Sequence, residues 1–226
     1  MAMRSQAYDA FTRQLIDRQL TPGQFVTQKE LAALTGFSLG AIREMIPRLE
    51  SEGLIRAIPQ RGLQVAQPDV HQMREAFELR ELIELAALAR FIAVAPESAI
   101  EEQRALLDQI GQEAERGITP ELLGRAQAID WAFHDTLVGA MANRLVADVH
   151  RVNSIRIRMM MPERVTLSEA TLPPAIAEHV AILRGIERRD VEAASASLRA
   201  HLASARRRAL GVDEVALPER TKGQSG

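Results

Sequence analysis

The stretch TQKELAALTGFSLGAIREMIPRLESEGLIRAIPQRGLQV, residues 27–65, decides the fold. Thr27 followed by Glu30 is a capping box: each side chain bonds an amide that the first helical turn leaves free. The helix runs on through Leu31-Ala32-Ala33-Leu34 and breaks at Thr35-Gly36-Phe37. Ser38 caps a second helix, which places Ile42, Met45 or Ile46, and Leu49 on one face. Gly53 ends it as a glycine just past the last turn. A hairpin follows, Leu54 to Ile58 and Leu63 to Val65, turning at Pro59-Gln60-Arg61-Gly62. Two helices joined by so short a turn set the second one to enter a DNA major groove, with the hairpin as a flanking wing. The expectation is a winged helix-turn-helix that binds double-stranded DNA.

Composition bounds the rest. The chain has 226 residues, of which 46% are apolar and only 4% aromatic, and no Cys. Ala and Leu dominate, which favours packed helices over sheet. Disulfides and thiolate metal sites are excluded. There is no membrane-spanning run and no signal-peptide pattern, so the reading is a cytoplasmic protein with no membrane partner. The net charge of −2 is unevenly spread: residues 1–68 hold eight Lys and Arg against six Asp and Glu. Phosphate binding depends on the local patch rather than the total. So small a positive excess argues that two copies hold the DNA together, as a homodimer on a pseudo-palindromic operator.

Gln67-Pro68-Asp69 marks a boundary, since Pro ends the wing strand and Asp69 can cap a helix. From there the pattern predicts an all-α bundle with helices at 69–94, 98–115, 120–140, 143–161, 173–188 and 190–209. The fold class is thus mainly α: a head at 1–68, a helical bundle at 69–211 and a disordered tail at 212–226. Asp130 and His134 lie four apart on one helical face. His179 sits on the inner stripe of its helix, between Ile176 and Leu183. His201 sits on the stripe of Val191, Ala194, Leu198 and Ala205. One carboxylate and three imidazoles therefore point into one core. Such ligands suit one divalent Zn, Ni, Mn or Fe ion. Taken singly each His is more often a satisfied core residue, but several buried unpaired imidazoles together are costly.

Two resemblances join these readings. Leu20-Thr21-Pro22-Gly23, Glu30-Leu31-Ala32, Gly36-Phe37-Ser38, Ile42-Arg43-Glu44, Leu49 to Ile55 and Arg61-Gly62 resemble the GntR family of bacterial regulators over residues 8 to 68. By position this implies DNA contacts from Lys29, Ser38, Arg43, Arg61 and Gly62. Arg43 would read bases from the second turn of the recognition helix, while Lys29 and Ser38 hold phosphates. Arg61-Gly62 would sit at the wing tip. Two departures stand out. Leu39-Gly40 replaces a usual Arg and Thr or Ser, which removes a guanidinium that discriminates by about 1–3 kcal/mol. Pro47 lies inside the recognition helix, where proline costs about 3 kcal/mol or more; it is either a kink or a tolerated irregularity.

Residues 69–210 resemble the FCD effector domain of the FadR-type subgroup. That domain carries Asp-x-x-x-His, then Glu-His, then a last His, here Asp130/His134, Glu178-His179 and His201. The resemblance implies a metal with open positions for a small carboxylate effector. It extends to Arg80 and Asn143 as effector-binding candidates, with Arg156 or Arg158 also able to pair the acid. Arg80 equally suits an intrahelical pair with Glu84. Glu178 is expected to point outward. His71 and His150 fall outside the ligand pattern, as surface or structural residues. The leading expectation is a repressor whose operator affinity answers to the acid, not an enzyme. A metal-activated water is the rival chemistry, but no general base stands in an obvious position. A DNA-binding protein whose histidines are merely core is the third reading.

Overall fold

The computed structural model describes residues 3–160 and 167–211. Its first three helices and small sheet form the head. Helix α1 (Met3–Ile16) packs on α3 (Leu39–Ser51), with α2 (Gln28–Thr35) alongside. The Thr27 capping box forms as expected, and Ser38 Oγ caps α3 through the Ala41 amide. Strands β2 (Ile55–Ile58) and β3 (Gly62–Val65) make the wing hairpin. A third strand, β1 (Phe25–Val26), pairs with the outer side of β3 to give the order β1-β3-β2. At Gly62 the backbone has φ +88°, and an added Cβ would lie 3.1 Å from the Val26 carbonyl oxygen. This close strand pairing is itself a reason for glycine there.

The remaining helices are α4 (Val70–Val94), α5 (Glu97–Arg116), α6 (Pro120–Gly139), α7 (Arg144–Met160), α8 (Leu172–Glu187) and α9 (Val191–Leu210). Each agrees with its expected span to within a residue at either end among the described residues. The tail expected at 212–226 lies outside the described residues. Helix α4 is central, contacting α6, α7 and α9, while α8 and α9 form a tight antiparallel-type pair at Gly185. A Cβ at Gly185 would fall 2.6 Å from the Ala194 amide nitrogen, so only glycine allows this approach. Leu88, Phe133, Ile182, Leu183, Ile186 and Leu198 are fully buried between these helices.

The boundary at residue 68 is crossed by packing. Ile155 and Met159 of α7 belong to the same apolar cluster as Tyr8, Phe11, Leu15 and Leu49 of the head. A polar clasp reinforces this. The Tyr8 hydroxyl donates to Glu52 and accepts from Arg151 Nη1 at 2.6 Å, while Arg156 donates to the Glu52 carbonyl oxygen. The Arg48 guanidinium lies 3.8 Å over the Tyr8 ring.

Candidate metal centre and DNA-binding surface

The helical bundle brings Asp130, His134, His179 and His201 together, with one ligand atom from each inside a 4.8 Å span. Asp130 and His134 come from adjacent turns of α6; His179 comes from α8 and His201 from α9. All three imidazoles are buried to within 2% of complete exclusion. Each spends its Nδ1 on an acceptor. His134 Nδ1 meets Glu84 Oε2 at 2.6 Å, His179 Nδ1 meets the Ala175 carbonyl oxygen at 2.9 Å, and His201 Nδ1 meets Glu178 Oε2 at 2.9 Å. Carbonyl and carboxylate oxygens only accept, so each Nδ1 carries the proton. The three Nε2 lone pairs are therefore left to face the common space. His134 Nε2 and His201 Nε2 are 3.2 Å apart, and His179 Nε2 is 3.4 Å from Asp130 Oδ1. Neighbouring ligands about 2.1 Å from one ion stand about 3 to 3.4 Å apart. His179 Nε2 has no hydrogen-bond partner. Donor set, tautomers and spacing fit a divalent ion.

The electrostatics suit the same role. Burial pushes all three imidazoles toward the neutral, ligating form; His179, opposed also by His201, is pushed down to about 4. Burial works against the Asp130 charge, but the surrounding imidazoles and Arg80 outweigh it and hold its carboxyl below the usual range. Glu84 is wholly buried. Burial again opposes its charge, yet Arg80, His134 and the hydrogen bonds from His134 and His150 hold its carboxyl well below the ordinary value.

Glu84 is the residue that sequence reasoning undervalued. It was visible only as the partner of Arg80, and that pair exists at 2.7 Å. Its second oxygen orients His134, and its first also accepts from His150 Nε2 at 3.0 Å. His150 is thus buried and structural, whereas His71 is exposed. Glu178 was expected outward; it is instead half-buried and orients His201, because one helical turn of α9 lies within its reach. Carboxylates in this position fix the ring and raise its basicity toward a metal.

The effector candidates separate. Arg80 lies buried beside the cluster, 4.7 Å over the Trp131 ring, with Nη2 unpartnered. Arg158 approaches the same ring at 5.1 Å. Arg156 turns away to the head clasp. Asn143 is exposed and caps α7 through Leu145 and Val146.

On the head, Leu39, Gly40, Arg43, Glu44 and Pro47 form the exposed face of α3. Pro47 remains inside the helix with its ring in solvent rather than in the core. Arg43 Nε donates to Gln28 Oε1 at 3.0 Å, tying the recognition helix to α2. Lys29 is exposed on the first turn of α2. Arg61 is exposed at the hairpin turn, 4.2 Å over the Phe25 ring. No helix among the described residues is long and apolar enough to cross a membrane.

Comparison with known proteins agrees with this architecture. Residues 75–204 match the FCD domain, and residues 3–65 match the bacterial regulatory proteins of the gntR family. No curated protein sequence matches the chain. Among solved structures, E. coli McbR/YncC superposes with a TM-score of 0.77 at 19% identity, over 90% of this chain and 95% of that one. A putative GntR transcriptional regulator from Rhodococcus sp. RHA1 gives 0.71 at 20% identity, over 93% and 99%. Lar of Listeria monocytogenes gives 0.59 at 14% identity, over 94% and 99%. These likenesses speak for the fold.

Proposed function

The chain belongs to the gntR family of bacterial regulators and carries their FCD domain, and from that premise we propose that a small organic acid controls it at a metal site formed by Asp130, His134, His179 and His201. It is a DNA-binding transcriptional regulator, in a family of regulators rather than enzymes. The observation that carries the metal reading is the tautomer set: three buried Nδ1 protons given to acceptors, three Nε2 lone pairs convergent. A bound divalent ion would supply Lewis-acidic positions for a carboxylate.

The residues of the chain provide the relay. Glu84 holds both His134 and His150, so a shift at His134 is felt by α7. The neighbour of His150, Arg151, grips Tyr8 and Glu52 of the head. One helix thus joins the ligand cluster to the DNA-binding part, and acid binding would alter how two heads are spaced. That is a coupling between two sites. We assign the second head to a second copy. Leu82 on α4 and Leu145 on α7 are 71% and 77% exposed, large apolar side chains on two helices that pack together.

On the DNA, Arg43 reads base edges, while Lys29, Ser38 and Arg61-Gly62 hold phosphate and flank the groove. Leu39, exposed at the start of α3, fits a thymine methyl where the family resemblance implies a guanidinium. Repression is the assigned outcome. The test is operator binding by the metal-loaded and chelated protein, with and without a panel of organic acids, beside a promoter reporter. Acid-dependent release from DNA that requires metal supports the reading. Operator affinity indifferent to both metal and every acid counts against it.

A further inference from the structure

Asp130 and His179 do more than face the imidazole cluster. They also line a small cavity between α5, α6 and α8. Its other walls are aliphatic: Leu107 and Ile110 from α5, Ile129 from α6, Leu172 and Ile176 from α8. Its volume is about 20 Å³, a little above the roughly 10–15 Å³ that one water requires. A water there would find polar side chains only at Asp130 and His179, whereas ordered buried waters make about three hydrogen bonds. A methyl or methylene group fits the space and its lining better.

Resting on the metal-linked acid site proposed above, we infer that the effector is a short aliphatic monocarboxylate, of propanoate or butanoate size, whose terminal methyl fills the cavity walled by Leu107, Ile110 and Ile176. A hydroxyl at that far end of the chain would be buried without a partner, and a second carboxylate there more expensively so. These aliphatic walls, rather than the ligands, set which acid is accepted.

The test is calorimetric titration of the zinc-loaded full chain with propanoate, butanoate, 3-hydroxypropanoate, malonate and citrate. Propanoate and butanoate are expected to bind roughly tenfold or more tightly over the others. Ile176 is only half-buried, so Ile176→Thr keeps the fold while adding a hydroxyl to the wall. Its zinc stoichiometry should stay unchanged while the preference for propanoate over 3-hydroxypropanoate falls severalfold. Tighter binding of 3-hydroxypropanoate, malonate or citrate by the zinc-loaded protein overturns the aliphatic assignment and leaves the metal-linked acid site standing. An unchanged preference in Ile176→Thr overturns the location of the chain. Zinc uptake with no heat from any acid, or no zinc uptake at all, overturns the acid site itself and this inference with it.

Discussion

His134 Nε2 and His201 Nε2 stand 3.2 Å apart, rings stacked within 19° of parallel, and neither has a proton for the other. Each ring has already committed its proton to a carboxylate, Glu84 or Glu178. Two opposed lone pairs repel unless a cation lies between them.

The protein is therefore expected to take up about one divalent metal per chain. With free metal about 100-fold above its dissociation constant, folding should gain about 2.7 kcal/mol. Melting temperature should fall on chelation, and both effects should vanish in His179→Ala and His201→Ala. Elemental analysis finding no metal, with melting indifferent to chelator and added ions, would leave the histidines as core residues.

Glu84→Gln keeps the shape of the side chain and removes its charge. Metal affinity, read by competition with a chromophoric chelator, should fall about 10- to 100-fold, as for other carboxylates behind metal-bound imidazoles. Stability should fall by about 3–5 kcal/mol, because Arg80 loses its buried partner. An unchanged metal affinity would remove Glu84 from the orienting role.

Arg43→Ala should weaken specific operator binding by about 1–3 kcal/mol and relax one operator position. Titrations on cognate and scrambled duplexes measure this. An unaltered ratio between them assigns Arg43 to the Gln28 contact alone.

Leu145→Glu places a charge on one of the most exposed apolar side chains of α7. Light scattering should show a homodimer for the parent chain and a shift toward monomer for the variant. Operator affinity should fall with it, since each head is only weakly positive. A monomeric parent at micromolar concentration, with and without DNA, contradicts the homodimer.

Tyr8 is the only tyrosine in the chain, so the near-ultraviolet absorbance of tyrosinate reports on the clasp alone. Burial, and then the hydrogen bond to Glu52, push its hydroxyl up to about 12 from 10. The neutral form is favoured in the folded state, so this stabilisation is full below about 10 and is lost as pH rises toward 12. Ionisation should be delayed accordingly. Glu52→Gln should bring it earlier, and a titration at the ordinary value in the folded parent would mean that the clasp is open.

The helical spacing of Asp130 and His134, and the stripes holding His179 and His201, were readable because periodicity reports which face a residue occupies. Caps and prolines likewise marked the helix ends. Periodicity says nothing about reach between helices. Hence Glu84 showed only its local partner Arg80, and Glu178, about 100° round the helix from His179, looked outward. Strand β1 has two residues, too few to alternate. Helix α1 does leave a signal, with Ala7, Phe11 and Leu15 at four-residue intervals and all buried. The sharing of α7 between the two halves pairs residues about a hundred positions apart, which no local pattern carries.

That sharing bears on how such regulators can be recombined. Cutting the chain after residue 68 to transplant its head onto another effector module would separate Leu15 and Leu49 from Ile155 and Met159, which complete their core. A workable chimaera would have to carry the head-facing stripe of α7 along with the head, from Arg151 to Met159. In evolution, too, a head and the helix beneath it would be inherited or exchanged as a matched set.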